Sequence, residues 1–197
     1  MNPEVLSLET SNNSANSKHA FIWDIFDTLI KALILILIVL TFFFKMCTVV
    51  GSSMMNTLEN GERLIITSLY GNLNAGDIIV FHETNYLDEP VVKRIIATGN
   101  HWVKIDFDNA LVYVSEDDVF DESEIINEDY VYLDIGKYRT TGTQTTFVPE
   151  GYIFVMGDNR NNSIDSRSSE IGVIDVRTVL GKVVLRVSPS EKFGIID

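Results

Sequence analysis

Three textures follow one another along the chain. Residues 1–20 are rich in Asn and Ser and carry no apolar period, which predicts a disordered tail over 1–21. Apolar residues then crowd together, and the thirteen residues 32–44 contain no charge. Thirteen residues of helix reach roughly 20 Å, short of a hydrocarbon core of about 30 Å, so a spanning helix must begin near Phe21 or Ile22. This predicts a transmembrane helix over 22–45. Asp24 and Asp27 then sit at headgroup level, and Lys31 reaches the interface along its aliphatic stem. A buried helix of a soluble domain competes for the same segment, because the uninterrupted run is short. Phe42, Phe43 and Phe44, at the border with polar sequence, favour the membrane. A cleaved leader fits less well, since the preceding flank is acidic and no small-x-small site follows.

From Thr48 the pattern changes to short runs of β-branched and aromatic residues at 63–68, 77–81, 91–96, 102–105, 111–114, 130–133, 152–156 and 179–187. Turn signals such as Asn-Ala-Gly-Asp and Val-Pro-Glu-Gly separate them. Many short strands without a long amphipathic helix predict a mainly β domain over 46–197. Residues 116–129 hold eight acids and no base, the mark of a solvated loop.

Charge and cysteine narrow the function. The net charge is -13, and after residue 45 twelve Lys/Arg face twenty-four Asp/Glu, so no nucleic-acid partner is expected. Cys47 is the single cysteine, which excludes an internal disulfide and a thiolate-rich metal site.

Three segments carry candidate chemistry. In 50–61, Ser52 and Ser53 follow Gly51 in a turn where a hydroxyl and nearby N–H groups could face a substrate carbonyl, although serine needs a base to attack one. In 91–96, Lys93 shares a strand face with Val91 and Ile95. Such a lysine is either a snorkelling edge residue or a desolvated amine whose pKa falls toward 7–8. In 157–167, the run Gly-Asp-Asn-Arg-Asn-Asn-Ser-Ile-Asp-Ser-Arg reads as a solvated loop, or as a support in which Asp165 pairs with Arg160 or Arg167 and a hydroxyl orients the lysine.

In order and content these segments resemble the type I signal peptidases, particularly their Gram-positive branch. The matches are Ser53-Met54-Met55-Asn56-Thr57-Leu58 to the family's S-M-x-P-T-L box, Val92-Lys93-Arg94 to its lysine strand, and 157–167 to its G-D-N-R-x-x-S-x-D-S-R box. The resemblance implies an antiparallel β-sheet peptidase domain behind one transmembrane helix, with a variable insert at about 97–149. It implies Ser53 as nucleophile and Lys93 as general base, and the Ser53 N–H in the oxyanion hole. Ser163 would bond the Lys93 amine, and Asp165 and Arg167 would brace the loop. Gly51 would leave only a backbone donor beside the oxyanion. Val50, Met54, Leu58 and Val92 would line pockets for small side chains. The implied partners are signal peptides of exported preproteins and the lipid bilayer, with the domain on the extracytoplasmic face and no metal or cofactor.

Asn56 departs from the family by standing where proline is usual. It is the feature that favours the other reading, a catalytically weak pseudo-peptidase that binds exported chains. A Ser/His peptidase would have to use His82, just beyond the strand that ends at Phe81, since His19 lies in the tail and His101 in the variable insert.

Overall fold

In a computed structural model of the chain, residues 3–83, 88–134 and 140–196 are described, with side chains from Phe21 onward. The chain divides into two units, Met1–Phe43 and Phe44–Asp197.

The first unit is one helix, α1, Pro3–Phe43. The stretch 1–21, expected as a disordered tail, is therefore helical from Pro3. Once an apolar segment has nucleated a helix, each added residue gains a hydrogen bond without the nucleation cost, and the weak propensities of Asn and Ser do not stop it. Its segment Phe21–Phe43 has 23 residues and a mean hydropathy of 2.5, long and apolar enough to cross a membrane. Asp27 and Lys31, one turn apart, pair at 2.6 Å, so two charges at the start of this segment offset each other. The helix ends two residues before the expected boundary, because Phe44 and Lys45 belong to the first strand.

The second unit contains β1 (Phe44–Thr48), β2 (Arg63–Thr67), β3 (Ile78–Phe81), β4 (Val91–Thr98), β5 (His101–Asp106), β6 (Leu111–Ser115), β7 (Thr143–Val148), β8 (Tyr152–Met156), β9 (Ile174–Asp175), β10 (Val179–Ser188) and β11 (Gly194–Ile195). The large sheet runs β1-β2-β10-β3-β4-β8-β9, with β11 beside β10, and the small one runs β6-β5-β7. Neighbouring strands are antiparallel in both. The small sheet falls inside the stretch 97–149. Residues 130–133, expected as a strand, make only a parallel bridge from Tyr132 to Asn159.

Strand β3 shows why the large sheet holds a site. It is apolar at every position and buried on both faces. Ile78 and Val80 pack with Met54, Leu58, Leu64 and Val183, while Ile79 and Phe81 pack with Ile95, Ile153, Val155 and Ile174. Its neighbour β4 is thus paired to a rigid strand, with Lys93 opposite Ile79 and Arg94 opposite Ile78. A third cluster, around Val103, Ile105, Phe154 and Met156, joins the small sheet to the large one.

Candidate active site

The link from β1 to β2 is a wound turn closed at its neck by two backbone bonds, Val49 N–H to Glu62 O and Gly61 N–H to Val49 O, each 2.9 Å. Leu58 N–H donates to Met54 O at 2.7 Å and tightens the coil. Met54 and Leu58 are the turn's anchors, 1% and 0% exposed, and burying two such side chains contributes on the order of 3–6 kcal/mol. Ser53, next to Met54, stays half-buried with its hydroxyl at the surface of this anchored turn.

Lys93 Nζ lies 2.9 Å from Ser53 Oγ and 3.1 Å from Val92 O. The lysine is 3% exposed. Burial, reinforced by the positive Arg167, outweighs the attraction of Asp165 and Asp158 and brings its pKa down from 10.5 to about 8. Of the two readings open for Lys93, the desolvated amine is the one the geometry supports.

The segment 157–167 docks on the Ser53 turn. Asn159 N–H donates to Ser53 O at 2.9 Å, Asn159 Nδ2 to Ser52 O at 3.0 Å, and Asn162 Nδ2 to Ser52 Oγ at 2.7 Å. The approach is so close that a Cβ on Gly157 would stand 2.5 Å from Ser53 O and 2.3 Å from Ser163 Oγ. No side chain fits there, which is the physical reason for glycine at the head of this segment.

Asp165 pairs with Arg167, whose Nε and Nη2 donate at 2.8 and 2.9 Å, and accepts the Gly157 N–H at 2.9 Å. Burial pushes the Asp165 carboxyl up, yet the Arg167 guanidinium overcomes it and holds the pKa below the ordinary value. Arg160, the other candidate partner, pairs instead with Glu128.

Three expected roles change. Ser163 does not hydrogen-bond the Lys93 amine. Its hydroxyl is buried without a hydrogen bond of good geometry and lies near the Asp165 carboxylate, which it helps to keep ionised. The Gly51 N–H is engaged by Asn60 Oδ1 at 2.9 Å and so is no spare donor. Among the described residues, the Ser53 N–H donates to no protein acceptor. Leu58 lies in the core beneath the turn rather than in a substrate pocket.

A cleft of about 470 Å³ opens at the pair, lined by Val50, Ser53, Met54, Val91, Val92 and Lys93 together with Cys47, Thr48, Val49, Val80, Glu89 and Pro90. Three of the four expected pocket residues are in it, and His82 is not. Burial raises the pKa of the Cys47 thiol. Asn56 has φ +82°, in the left-handed region that Asn tolerates and proline, fixed near -65°, cannot enter.

No spacing in the chain marks the network behind the pair. Arg94 Nε and Nη2 donate to Asp158 at 3.0 and 2.9 Å, with both side chains under 5% exposed. Arg94 Nη1 also donates to Gly76 O at 2.8 Å, and Thr57 Oγ1 donates to Asp158 at 2.5 Å. Thus the Ser53 turn, the Lys93 strand and the 157–167 segment meet at one carboxylate. Thr57, Arg94 and Asp158 each lie inside a marked segment, but the partners are 64 and 101 positions apart, which spacing cannot show. Among the described residues, no group of three or more His, Cys, Asp or Glu is placed to hold a metal ion.

A family model described as signal peptidase, peptidase S26, matches residues 22–188. The chain is 30% identical over 193 residues to a probable signal peptidase I-1 of Synechocystis sp., covering 93% of this chain and 91% of the relative. It is 37% identical over 163 residues to signal peptidase I of Bacillus caldolyticus, covering 78% and 84%. A solved signal peptidase I of Enterococcus faecalis V583 aligns at 25% identity with a TM-score of 0.35, covering 56% of this chain and 96% of that one.

Proposed function

The chain belongs to the signal peptidase family, peptidase S26, and from that premise we propose that it is a membrane-anchored serine endopeptidase removing signal peptides from exported preproteins after a small-x-small motif. The observation that carries this reading is the 2.9 Å contact between Ser53 Oγ and a buried Lys93 amine.

A lysine with a pKa of about 8 is about a tenth neutral at pH 7 and half neutral at pH 8, far more than an ordinary lysine. In that form the contact reverses, and the Ser53 hydroxyl donates to the nitrogen lone pair. Attack of Oγ on the scissile carbonyl transfers the proton to Lys93, and the ammonium then protonates the departing amine. Water hydrolyses the acyl-enzyme with Lys93 again as base. The Ser53 N–H supports the developing oxyanion. Val50, Met54 and Val92 form shallow apolar walls that suit Ala, Gly or Ser beside the cut. Segment Phe21–Phe43 anchors the enzyme with its peptidase domain on the extracytoplasmic face. Nine steps of chain lead from Phe44 to Ser53, so the nucleophile stays within about 30 Å of Phe44 along the chain, close to where a still-embedded signal peptide presents its site.

The pseudo-peptidase reading drew on Asn56, but a left-handed turn accommodates that residue with Ser53 still beside Lys93. The test is cleavage of a preprotein by the full-length enzyme. Ser53→Ala and Lys93→Ala should each abolish it, and the double variant should be no worse than either. Full activity in either single variant would overturn the proposal.

A further inference from the structure

The segment 157–167 has two sides, and only one faces the nucleophile. Asn159 bonds inward to Ser53 through its backbone N–H. Its neighbours bond the other way: Asp158 O accepts the Tyr132 N–H at 2.8 Å, and the Arg160 N–H donates to Tyr132 O at 3.0 Å. Residues 158–160 are therefore held between the Ser53 turn and a strap of chain at 128–134 that lies in the insert, outside all three marked segments.

The strap's side chains reach the same parts. The Glu128 carboxylate takes both terminal nitrogens of Arg160, one at 2.8 Å, with Arg160 5% and Glu128 12% exposed. Arg160 Nε in turn donates to Gly157 O at 3.2 Å. The Tyr130 ring lies 3.9 Å from the Arg94 guanidinium, covering the ion pair that Arg94 makes with Asp158. The Tyr130 hydroxyl donates to Glu128 at 3.2 Å, so ring and carboxylate support each other. At the far end Asn161 Nδ2 donates to Asp134 O at 3.1 Å, and its Oδ1 accepts the Asp134 N–H at 2.7 Å.

We propose that Tyr130 and Glu128 are positioning residues for the Ser53–Lys93 pair, acting through Arg94 and Arg160 from an insert that never touches the reacting atoms. This rests on the Ser/Lys reading above. The physical argument is that Ser53 is held from below by its apolar anchors, while its backbone carbonyl is held from the side by residue 159. A segment one strand thick is rigid only if its outer edge is paired. The strap supplies that pairing. The Tyr130 ring also keeps water from the Arg94–Asp158 pair, and Asp158 is among the charges that act on Lys93, along with Asp165 and Arg167. Loosening the strap should disturb the placement of Ser53, while the cleft walls at Val50, Met54 and Val92 stay intact.

The test uses the full-length enzyme in detergent with a synthetic peptide spanning a small-x-small site. Tyr130→Ala should lower kcat about tenfold with KM within about twofold, because the side chain meets no substrate. Tyr130→Phe, which keeps the ring over Arg94, should restore kcat to within about threefold of the parent. Glu128→Gln, a milder change that guards against misfolding of the alanine variant, should cost about fivefold in kcat. Glu122→Gln, at an exposed acid in the same insert but outside the strap, should change nothing. Unchanged kcat in both Tyr130→Ala and Glu128→Gln overturns the proposal, as does an effect confined to KM or shared equally by Glu122→Gln. Ser53→Ala and Lys93→Ala run beside them. If those cleave normally, the dyad reading fails, and that outcome is read independently of the strap variants.

Discussion

The large sheet and the acidic run at 116–129 treat charge in opposite ways. On the large sheet and its loops, Lys93, Arg94, Asp158, Arg160 and Asp165 are all under 7% exposed. In 116–129 there are eight acids, six of them exposed, and Glu128, at 12%, is drawn in by Arg160. Taking a charge out of water costs several kcal/mol unless a partner and hydrogen bonds replace the hydration, so a chain rich in solvated acids has no reason of stability to bury five ions. These five lie in the two segments that meet the Ser53 turn, while Glu62, also 3% exposed, pairs with Arg186. The difference teaches where the fold accepts a cost, and perturbed, desolvated groups of this kind mark sites of chemistry.

The sharpest way to break that comparison is to remove one buried charge and leave its partner. Asp158→Ala strands the Arg94 guanidinium beside Thr57 and should destabilise the domain by about 3–5 kcal/mol, read from the urea midpoint. The double variant Arg94→Met/Asp158→Leu should recover most of that stability and none of the cleavage, since the Thr57 hydroxyl still lacks its acceptor. Equal loss in the single and double variants would mean that the pair supports folding rather than the site.

How much of this was readable beforehand follows the same division. Strands such as β3, β8 and β10 were legible because apolar, β-branched runs bounded by turn residues have few other uses. Strand β7, Thr143–Val148, was not, because its Thr-Gln-Thr-Thr start is polar and half-exposed and gains its place only by pairing with β5. Ser53 and Lys93 were legible as residue types in marked segments. The role of Arg94 was hidden, because its meaning lies in a carboxylate 64 positions away. Glu128 and Tyr130 were hidden more deeply, in a run that reads as solvent-facing loop, and 84–87 and 135–139 lie outside the described residues. Local pattern shows what a residue can do, while long-range pairing decides which residues do it.

A second effect comes from Lys93 itself. Its folded pKa, about 8, lies below the unfolded value of 10.5, so between these pH values the unfolded chain binds more protons and stability rises with pH. Below pH 8 the folded protein bears the cost of holding a buried ammonium, up to about 3 kcal/mol for a shift of this size. Lys93→Met should therefore compare most favourably with the parent below pH 8, and its advantage should shrink as pH rises to 10.5. Activity should run the other way in the parent, rising to a plateau above about 8. Parallel stability curves for the two proteins across this window would mean that the amine is solvated.

Asn56 gives a smaller effect and a reversal of what family likeness alone implies. Asn56→Pro matches the family's usual residue, yet φ +82° is closed to proline, so the turn must rearrange. The variant should lose about 1–3 kcal/mol and cleave more slowly, whereas Asn56→Gly should stay close to the parent. Thermal melts together with peptide cleavage rates check both. A proline variant as active and stable as the parent would show that this turn can adopt the family's conformation at no cost.

The smallest expected effect is the control for all the others. Arg177 and Asp175 make an ion pair with as many contacts as the buried ones: Arg177 Nε lies 3.0 and 2.9 Å from the two carboxylate oxygens, and Nη2 is also paired. Judged by geometry alone, it should matter as much as Arg94 with Asp158. It differs in exposure, with the Arg177 side chain 85% exposed. Water already solvates the guanidinium there, and salt screens what attraction remains. Arg177→Ala should accordingly leave the melting temperature at pH 7 unchanged at physiological salt. The Asp175 carboxylate also accepts the backbone N–H of residue 177 at 2.8 Å, and that bond survives the substitution. Bonding to Arg177 holds the Asp175 pKa at about 2, below the ordinary 3.8. Any contribution from the pair is thus present above about pH 4 and lost as pH falls toward 2. Melts of parent and variant at low salt, taken from pH 6 down to 2, should show whatever small difference exists converging at the acid end. If Arg177→Ala instead destabilised the protein at pH 7 as much as Asp158→Ala, contact geometry and not burial would set the worth of an ion pair in this fold, and the contrast between its buried and solvated charges would lose its meaning.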